Sequence, residues 1–384
     1  MKKILMFASE FSPTIGGIAT YTVQLSLAAH EIGYDITVIA PEFGESLYKS
    51  DKDKYPFEVI RYNSTGYSAR DLPSMIWRAW RITRSSKFDI IHASDWPDLA
   101  TLGLLNKFKR VPFVSTNHGN EILRALAYNY LKRRIQQNLF KTPRYIFANS
   151  NYTRSLMLKY FPDYPQRNVI VTYFGVDPRR FGNDNINRDI RKIYSIPRDH
   201  IILLTVSRLD KTKGHKTILK ALTVLPEELK NKITYLIVGK LPTGGTTSKS
   251  YVTDIHQLAG NSGVNVVFAG AINYNDLKSY YSCANIFCMP SDPHPTIVES
   301  FGLVYLEAAA QGVPSIASRI GGIPEVVLHE KTGLLIEPAD VSGMVQALTR
   351  LLKDMPYRER LGRAALNYAG TFTWKRCAEQ TYDL

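Results

Sequence analysis

The chain is patterned as short apolar runs separated by longer stretches whose apolar residues recur at helical spacing. In the first half, Lys3–Ala8, Asp35–Ile39, Phe57–Tyr62, Ile90–His92, Phe113–Thr116, Tyr145–Asn149 and Val169–Thr172 read as strands. Between them Thr20–Glu31, Pro73–Arg84 and Leu123–Leu139 read as amphipathic helices. The rhythm then restarts. Ile201–Ser207, Thr234–Val238, Val264–Ala269, Ile286–Met289, Ser315–Ala317 and Gly333–Ile336 form a second strand set, with helices at Thr217–Leu225, Asn275–Ser282 and Val304–Gln311. Alternation of this kind predicts an α/β fold, two doubly wound parallel sheets in tandem with helices on both faces. The expected organisation is a domain over 1–176, a polar linker at 177–200, a second domain over 201–368 and a C-terminal segment, 369–384, crossing back to the first. Open parallel sheets bind ligands beyond the carboxyl ends of their strands. Two such sheets facing across a cleft would hold a ligand there, so the strand ends are where chemistry is sought.

Composition narrows the classes. A chain of 384 residues with 45% hydrophobic and 21% charged residues is globular and long enough for two cores. Cys283, Cys288 and Cys377 are odd in number and widely spaced, which suits reduced thiols in a cytoplasmic protein and no metal centre. The N-terminal run Ile4–Ala8 is too short for the core of a signal peptide and reads as a first buried strand. No stretch approaches the roughly 18 consecutive apolar residues of a spanning helix.

Charge adds a partner class. The net charge is +14, and residues 1–175 alone carry 23 Lys and Arg against 14 Asp and Glu. The excess gathers at Arg78-Arg81-Arg84-Lys87, Lys107-Lys109-Arg110 and Lys132-Arg133-Arg134. Such clusters are either solvated basic faces or a surface for an anionic membrane, giving peripheral attachment at its inner face. Nucleic acid is not expected, because no recognition motif accompanies the cations.

Four stretches carry candidate chemistry. Gly16-Gly17 follows the first strand and opens a helix, where paired glycines let a backbone approach a phosphate or sugar. It is not the G-x-G-x-x-G of a dinucleotide fold. Ser207-Arg208-Leu209-Asp210-Lys211-Thr212-Lys213-Gly214 ends the first strand of the second half, and its Arg and Lys suit a diphosphate. Glu299 to Glu307 spans a helix start after Pro290, Pro293 and Pro295; the amides of Phe301, Gly302 and Leu303 can face an anion, and the two carboxylates can accept from sugar hydroxyls. Surface cations and a solvated Glu307 are the plainer alternatives. Asp51-Lys52-Asp53 is formally an Asp-x-Asp, but it reads as a charged surface loop.

Glu299-x7-Glu307, Ser207-Arg208…Lys213-Gly214, Gly16-Gly17-Ile18 and Gly321-Gly322-Ile323-Pro324-Glu325 together resemble the GT-B retaining glycosyltransferases of family four. The likeness covers essentially the whole chain. Gly302-Leu303-Val304-Tyr305-Leu306-Glu307-Ala308 is similar to bacterial mannosyltransferases that act on phosphatidylinositol. The resemblance implies a retaining transfer of a hexosyl unit from a UDP- or GDP-sugar to a glycan or lipid-linked hydroxyl, without metal or other cofactor. By the same resemblance, Arg208 and Lys213 hold the donor diphosphate and Glu307 the ribose. Glu299 meets the transferred sugar, Gly16 and Gly17 offer amides, and His118 stands beside sugar and acceptor. A sugar-nucleotide epimerase of similar fold and a non-catalytic basic protein binding membrane or nucleic acid are the competing classes.

Overall fold

The computed structural model describes residues 1–42, 51–63, 72–85, 87–108, 112–127, 129–177, 181, 188–240 and 249–383. They group into two compact units, Met1–Gly175 with Phe372–Leu384, and Val176–Thr371.

The first unit is built on a seven-stranded sheet: β1 (Lys3–Phe7), β2 (Asp35–Glu42), β3 (Glu58–Asn63), β4 (Ile90–Ala93), β5 (Val114–Asn117), β6 (Tyr145–Ala148) and β7 (Val169–Val171). Its order is β3-β2-β1-β4-β5-β6-β7 and every adjacent pair is parallel. Ile4 to Phe7 are all buried, because a central parallel strand is covered on both faces and has no solvated side to alternate toward. β2 continues past Ile39 to Glu42 through Pro41. Beyond Ile39 only β3 pairs with it, so the missing proline N–H interrupts no ladder. The helices are α1 (Gly17–Glu31), α2 (Asp51–Lys54), α3 (Leu72–Ser85), α4 (Trp96–Phe108), α5 (Asn120–Ala127), α6 (Tyr130–Phe140) and α7 (Asn151–Tyr160). The single helix expected over Leu123–Leu139 is therefore two. Asn129 is extended and its side chain accepts from the Lys132 amide at 3.1 Å, so it starts a helix rather than continuing one.

The second unit repeats the plan with β8 (Ile201–Val206), β9 (Ile233–Val238), β10 (Asn265–Gly270), β11 (Ile286–Met289), β12 (Ser315–Ser318) and β13 (Gly333–Ile336), in the order β10-β9-β8-β11-β12-β13, again all parallel. Its helices are α8 (Ile190–Ile193), α9 (His215–Val224), α10 (Glu227–Lys230), α11 (Lys249–Gly260), α12 (Leu277–Cys283), α13 (Leu303–Ala309), α14 (Val341–Lys353) and α15 (Met355–Ala369). Part of the stretch expected as a polar linker packs on this unit. Ile190 is buried, and the Tyr194 and Tyr280 hydroxyls hydrogen-bond at 3.0 Å.

The last helix, α16 (Trp374–Tyr382), belongs to the first unit and packs along α1. The Thr373 hydroxyl caps it by accepting from the Arg376 amide, and Trp374, Cys377, Ala378 and Tyr382 are buried. Gly175 lies so close to this segment that an added Cβ would stand 2.2 Å from the Trp374 nitrogen. Each unit has its own core, one centred on Leu5, Phe7, Leu99, Phe140 and Ile146, the other on Leu203, Leu219, Tyr235, Ile286 and Leu348. Among the described residues no helix is long and apolar enough to cross a membrane.

Candidate functional site

In both sheets the strand order turns back beside the first strand, between β1 and β4 and between β8 and β11. The carboxyl ends there leave a crevice in which doubly wound folds bind ligands. Most of the residues singled out in the sequence fall at these ends or one strand away.

In the second unit the loop after β8 is fixed by its own side chains. Asp210 accepts from the Thr212 amide at 3.0 Å and its hydroxyl at 2.9 Å, bending Lys211–Lys213 into a single 3-10 turn. Gly214 then takes φ +73°, and a Cβ there would lie 1.9 Å from the Pro290 carbonyl, so the loop lies directly on the end of β11. Lys213 Nζ donates to Glu299 Oε2 at 2.7 Å, bringing together two of the expected site residues. Thr212, Lys213, Ser291, Asp292, Ile297, Val298, Glu299 and Ile320 line one small pocket. Burial raises the Asp292 carboxyl above the usual carboxylate range. Arg208 stands exposed at the start of the loop. His215, behind the loop, is fully buried, lies 3.2 Å from the Ser207 hydroxyl, and is pushed down by burial to about 4, so it is neutral.

The Glu299 segment is held from below by the glycine pair Gly321-Gly322. The Gly322 amide donates to the Glu299 carbonyl at 3.0 Å. A Cβ at Gly321 would stand 2.2 Å from that carbonyl, and one at Gly322 1.8 Å from the carbonyl of Ser300. No other residue type allows this backbone-on-backbone contact. Gly302, at φ +92°, then turns the chain into α13 with the Tyr305 ring directly beneath it. Phe301 is buried, Leu303 begins the helix, and Gly302 offers no side-chain cap to it. Glu307 sits on the second turn and is buried, so the solvated alternative fails. Its Oε2 accepts from the Tyr281 hydroxyl at 2.6 Å, and Tyr281 is a partner that only the tertiary fold supplies.

In the first unit, Gly16 caps α1 in extended backbone and a Cβ on Gly17 would meet nothing within 4 Å. Packing inside the unit therefore does not demand glycine at 17. The loop leading to it is latched by Arg61. Its guanidinium donates to both Asp51 oxygens, at 2.7 and 3.0 Å, and to the carbonyls of Ser12 at 2.8 Å and Pro41 at 3.0 Å. Asp51 is thus no surface residue of a charged loop. It is buried at the head of α2, where a desolvated guanidinium requires a paired carboxylate.

His118 follows β5 and is buried. Its Nε2 lies 2.8 Å from the Ser94 carbonyl, and its ring meets Tyr21 edge-on at 5.2 Å and Phe174 at 5.6 Å. Glu121 accepts from the amides of His118 at 2.6 Å and Gly119 at 3.2 Å, which sets the turn on which the histidine stands. Two further carboxylates close in, Asp95 and Asp98, neither of which the sequence pattern marked. Asp98 accepts from the Ser9 amide at 2.9 Å and the Ser94 hydroxyl at 3.1 Å, and burial lifts it to about 7. Burial likewise raises Asp95 and Glu121, with Asp95 adding to the rise of Glu121 and His118 opposing both. Position was the available signal for two of the unmarked carboxylates: Asp95 lies two residues past the end of β4 and Asp292 three past the end of β11.

Two family models cover almost the whole chain in tandem. Residues 15–180 match Glycosyltransferase Family 4 and residues 186–368 match Glycosyl transferases group 1. An uncharacterized glycosyltransferase of Methanocaldococcus jannaschii is 25% identical, over 100% of this chain and 97% of its own. The GDP-mannose-dependent alpha-(1-6)-phosphatidylinositol monomannoside mannosyltransferase of Mycolicibacterium smegmatis is 28% identical, over 95% and 93%. Among solved structures, HepE of Anabaena in complex with UDP and glucose superposes with a TM-score of 0.80 at 19% identity, covering 100% of this chain and 99% of that one. Two Rossmann-like units in this order, matched in tandem by these two family models, make the chain a glycosyltransferase of GT-B architecture. The chain belongs to family four of that class.

Proposed function

We propose that this enzyme transfers a hexosyl unit from a UDP- or GDP-sugar to a hydroxyl of a glycan or lipid-linked acceptor, with retention at the anomeric carbon and without a metal. The observation that carries the reading is the Lys213–Glu299 pair at 2.7 Å, set on a glycine-shaped floor beside the end of β8. A cation that holds a diphosphate and a carboxylate that accepts from sugar hydroxyls are thereby fixed next to one another. Arg208 and Lys213 stabilise the departing nucleoside diphosphate as the C1–oxygen bond breaks. The acceptor oxygen bonds to C1 on the same face, and its proton leaves with the diphosphate.

In this reading Glu307 accepts from the ribose hydroxyls, and Gly302 and Leu303 present the start of α13 to the donor phosphates beside Phe301. The open space over Gly17 supports a close approach of donor to the Gly16-Gly17 backbone. His118, oriented by the Ser94 carbonyl, serves the sugar and acceptor side.

The test is a thermal-shift panel of UDP, GDP, ADP and CMP on the wild type, Arg208→Ala and Glu307→Ala. A nucleotide at about 100 times its Kd stabilises the native state by roughly 2.7 kcal/mol. The expected result is a shift with UDP or GDP that both variants lose. Absence of any shift in the wild type sinks the donor assignment. Turnover of donor without acceptor to an epimerised sugar nucleotide would replace the transfer reading.

A further inference from the structure

Six of the twelve large apolar side chains exposed among the described residues lie on three neighbouring helices of the first unit. They are Trp77 and Trp80 on α3, Phe108 at the end of α4, and Tyr130, Leu131 and Ile135 on α6. α3 packs on α4, and α4 packs on α6, so these helices form one layer over the sheet. α3 buries Met75 and Ala79 against the core and turns Trp77, 53% exposed, and Trp80, 39% exposed, the other way. Arg81 lies 5.5 Å from the Trp77 ring and Arg84 5.1 Å from the Trp80 ring, so aromatic and cationic groups share one stripe. α3 to α6 carry eight Lys and Arg against two acids, Asp98 and Glu121, and both acids are buried. The solvent side of the layer therefore presents cations and exposed apolar side chains without an acidic side chain from these helices.

We infer that this layer docks on an anionic lipid bilayer, with α3 lying flat in the interface, its Trp77 and Trp80 rings in the headgroup region and Arg78, Arg81 and Arg84 on lipid phosphates. Tryptophan and arginine on one helix stripe match the polarity of that interface, wet on one side and apolar on the other. A nucleic acid offers phosphates and bases to stack on, but no hydrocarbon for Leu131 and Ile135. A second copy of the chain would set the same row of cations against itself across a symmetric contact. The docking does not depend on the donor reading, because every residue it uses lies outside the candidate site.

The test is sedimentation with vesicles of equimolar phosphatidylcholine and phosphatidylglycerol, against pure phosphatidylcholine, with tryptophan quenching by brominated acyl chains. Wild type is expected to sediment with the anionic vesicles at low salt, to be quenched, and to be released as salt rises. Arg78→Gln, Arg81→Gln and Arg84→Gln together remove three interfacial cations and weaken binding by about a hundredfold at low salt. Trp77→Ala with Trp80→Ala retains weaker, salt-sensitive binding but loses the quenching, since Trp96 packs against the core and Trp374 is buried. Trp77, Trp80, Arg81 and Arg84 are exposed and Arg78 is half-buried, so an unchanged melting temperature and nucleotide shift show that fold and donor site are intact. Wild type that stays in solution, or variants that behave as wild type, overturn the inference. So does a concentration-dependent dimer lost in Trp77→Ala with Trp80→Ala, or binding to a single-stranded oligonucleotide that outcompetes the vesicles.

Discussion

At the scale of single residues, the ion pair of Lys213 and Glu299 makes each a condition for the other's geometry. With each side chain about one-fifth exposed, the pair is only partly screened. Glu299→Gln keeps the shape and removes the charge, so folding should survive while turnover falls. Loss of one preorganised electrostatic partner corresponds to roughly 2–4 kcal/mol in the transition state, and kcat at saturating donor measures it. Near-normal kcat in that variant would falsify the role. Gly302→Ala probes the floor of the same site. Its left-handed backbone costs an L-residue about 1–2 kcal/mol, and the new Cβ would lie 2.4 Å from the Tyr305 ring. Urea unfolding of the second unit should therefore show a loss larger than that backbone cost alone. These residues were legible in the sequence because glycines and charges recur at fixed spacing along one segment. Asp95, Asp98, Asp292 and Tyr281 were not. Their significance comes from burial and from partners far along the chain, such as Ser9 for Asp98, and no local spacing encodes either.

At the scale of elements, the strands were the most legible part of the fold. Central parallel strands are apolar on both faces, so they appear as unbroken runs, and Ile286–Met289 and Gly333–Ile336 have the expected bounds. Helix boundaries depend on single capping side chains, which is why the turn at Asn129 escaped the periodicity. The ends of β1 and β4 are tied to Asp98 through the Ser9 amide and the Ser94 hydroxyl, β5 joins them through His118 Nε2 at the Ser94 carbonyl, and Glu121 sets the His118 turn. This arrangement has a pH signature. Asp98 has a folded pKa of about 7, raised by burial above its unfolded value, so its stabilising contribution is complete at low pH and is lost as pH rises toward 7. Asp95 and Glu121, also raised, act in the same direction, with His118 opposing them. Asp98→Asn keeps an acceptor for the Ser9 amide but cannot ionise. Relative to wild type it should gain stability from pH 5 to pH 8, by on the order of 1 kcal/mol per pH unit up to about 7. Denaturant midpoints of both proteins across that range decide it, and parallel curves would remove Asp98 from the account.

At the scale of the molecule, each unit has a core of its own, and the last helix packs along α1 in the first unit. Tyr382 donates or accepts at His92 Nδ1 at 2.9 Å, and Trp374 stacks on Phe174 at 5.8 Å, beside Tyr21. The His92 ring is pushed down to about 3 by burial and then by His118, so a neutral imidazole joins Tyr382 to Thr116 on β5. Two cores imply two unfolding transitions, each reporting one unit. Trp374→Ala empties a large buried site in the first unit, a change that typically costs about 3–5 kcal/mol. Calorimetry of wild type and Trp374→Ala should therefore show one transition displaced downward and the other unchanged. If Arg208, Lys213 and Glu307, all of the second unit, hold the donor as proposed, added UDP or GDP should raise the transition that Trp374→Ala leaves in place. If both transitions move together in the variant, the two cores unfold as one, and stability assigned to either unit by mutation must be reassigned to the whole chain.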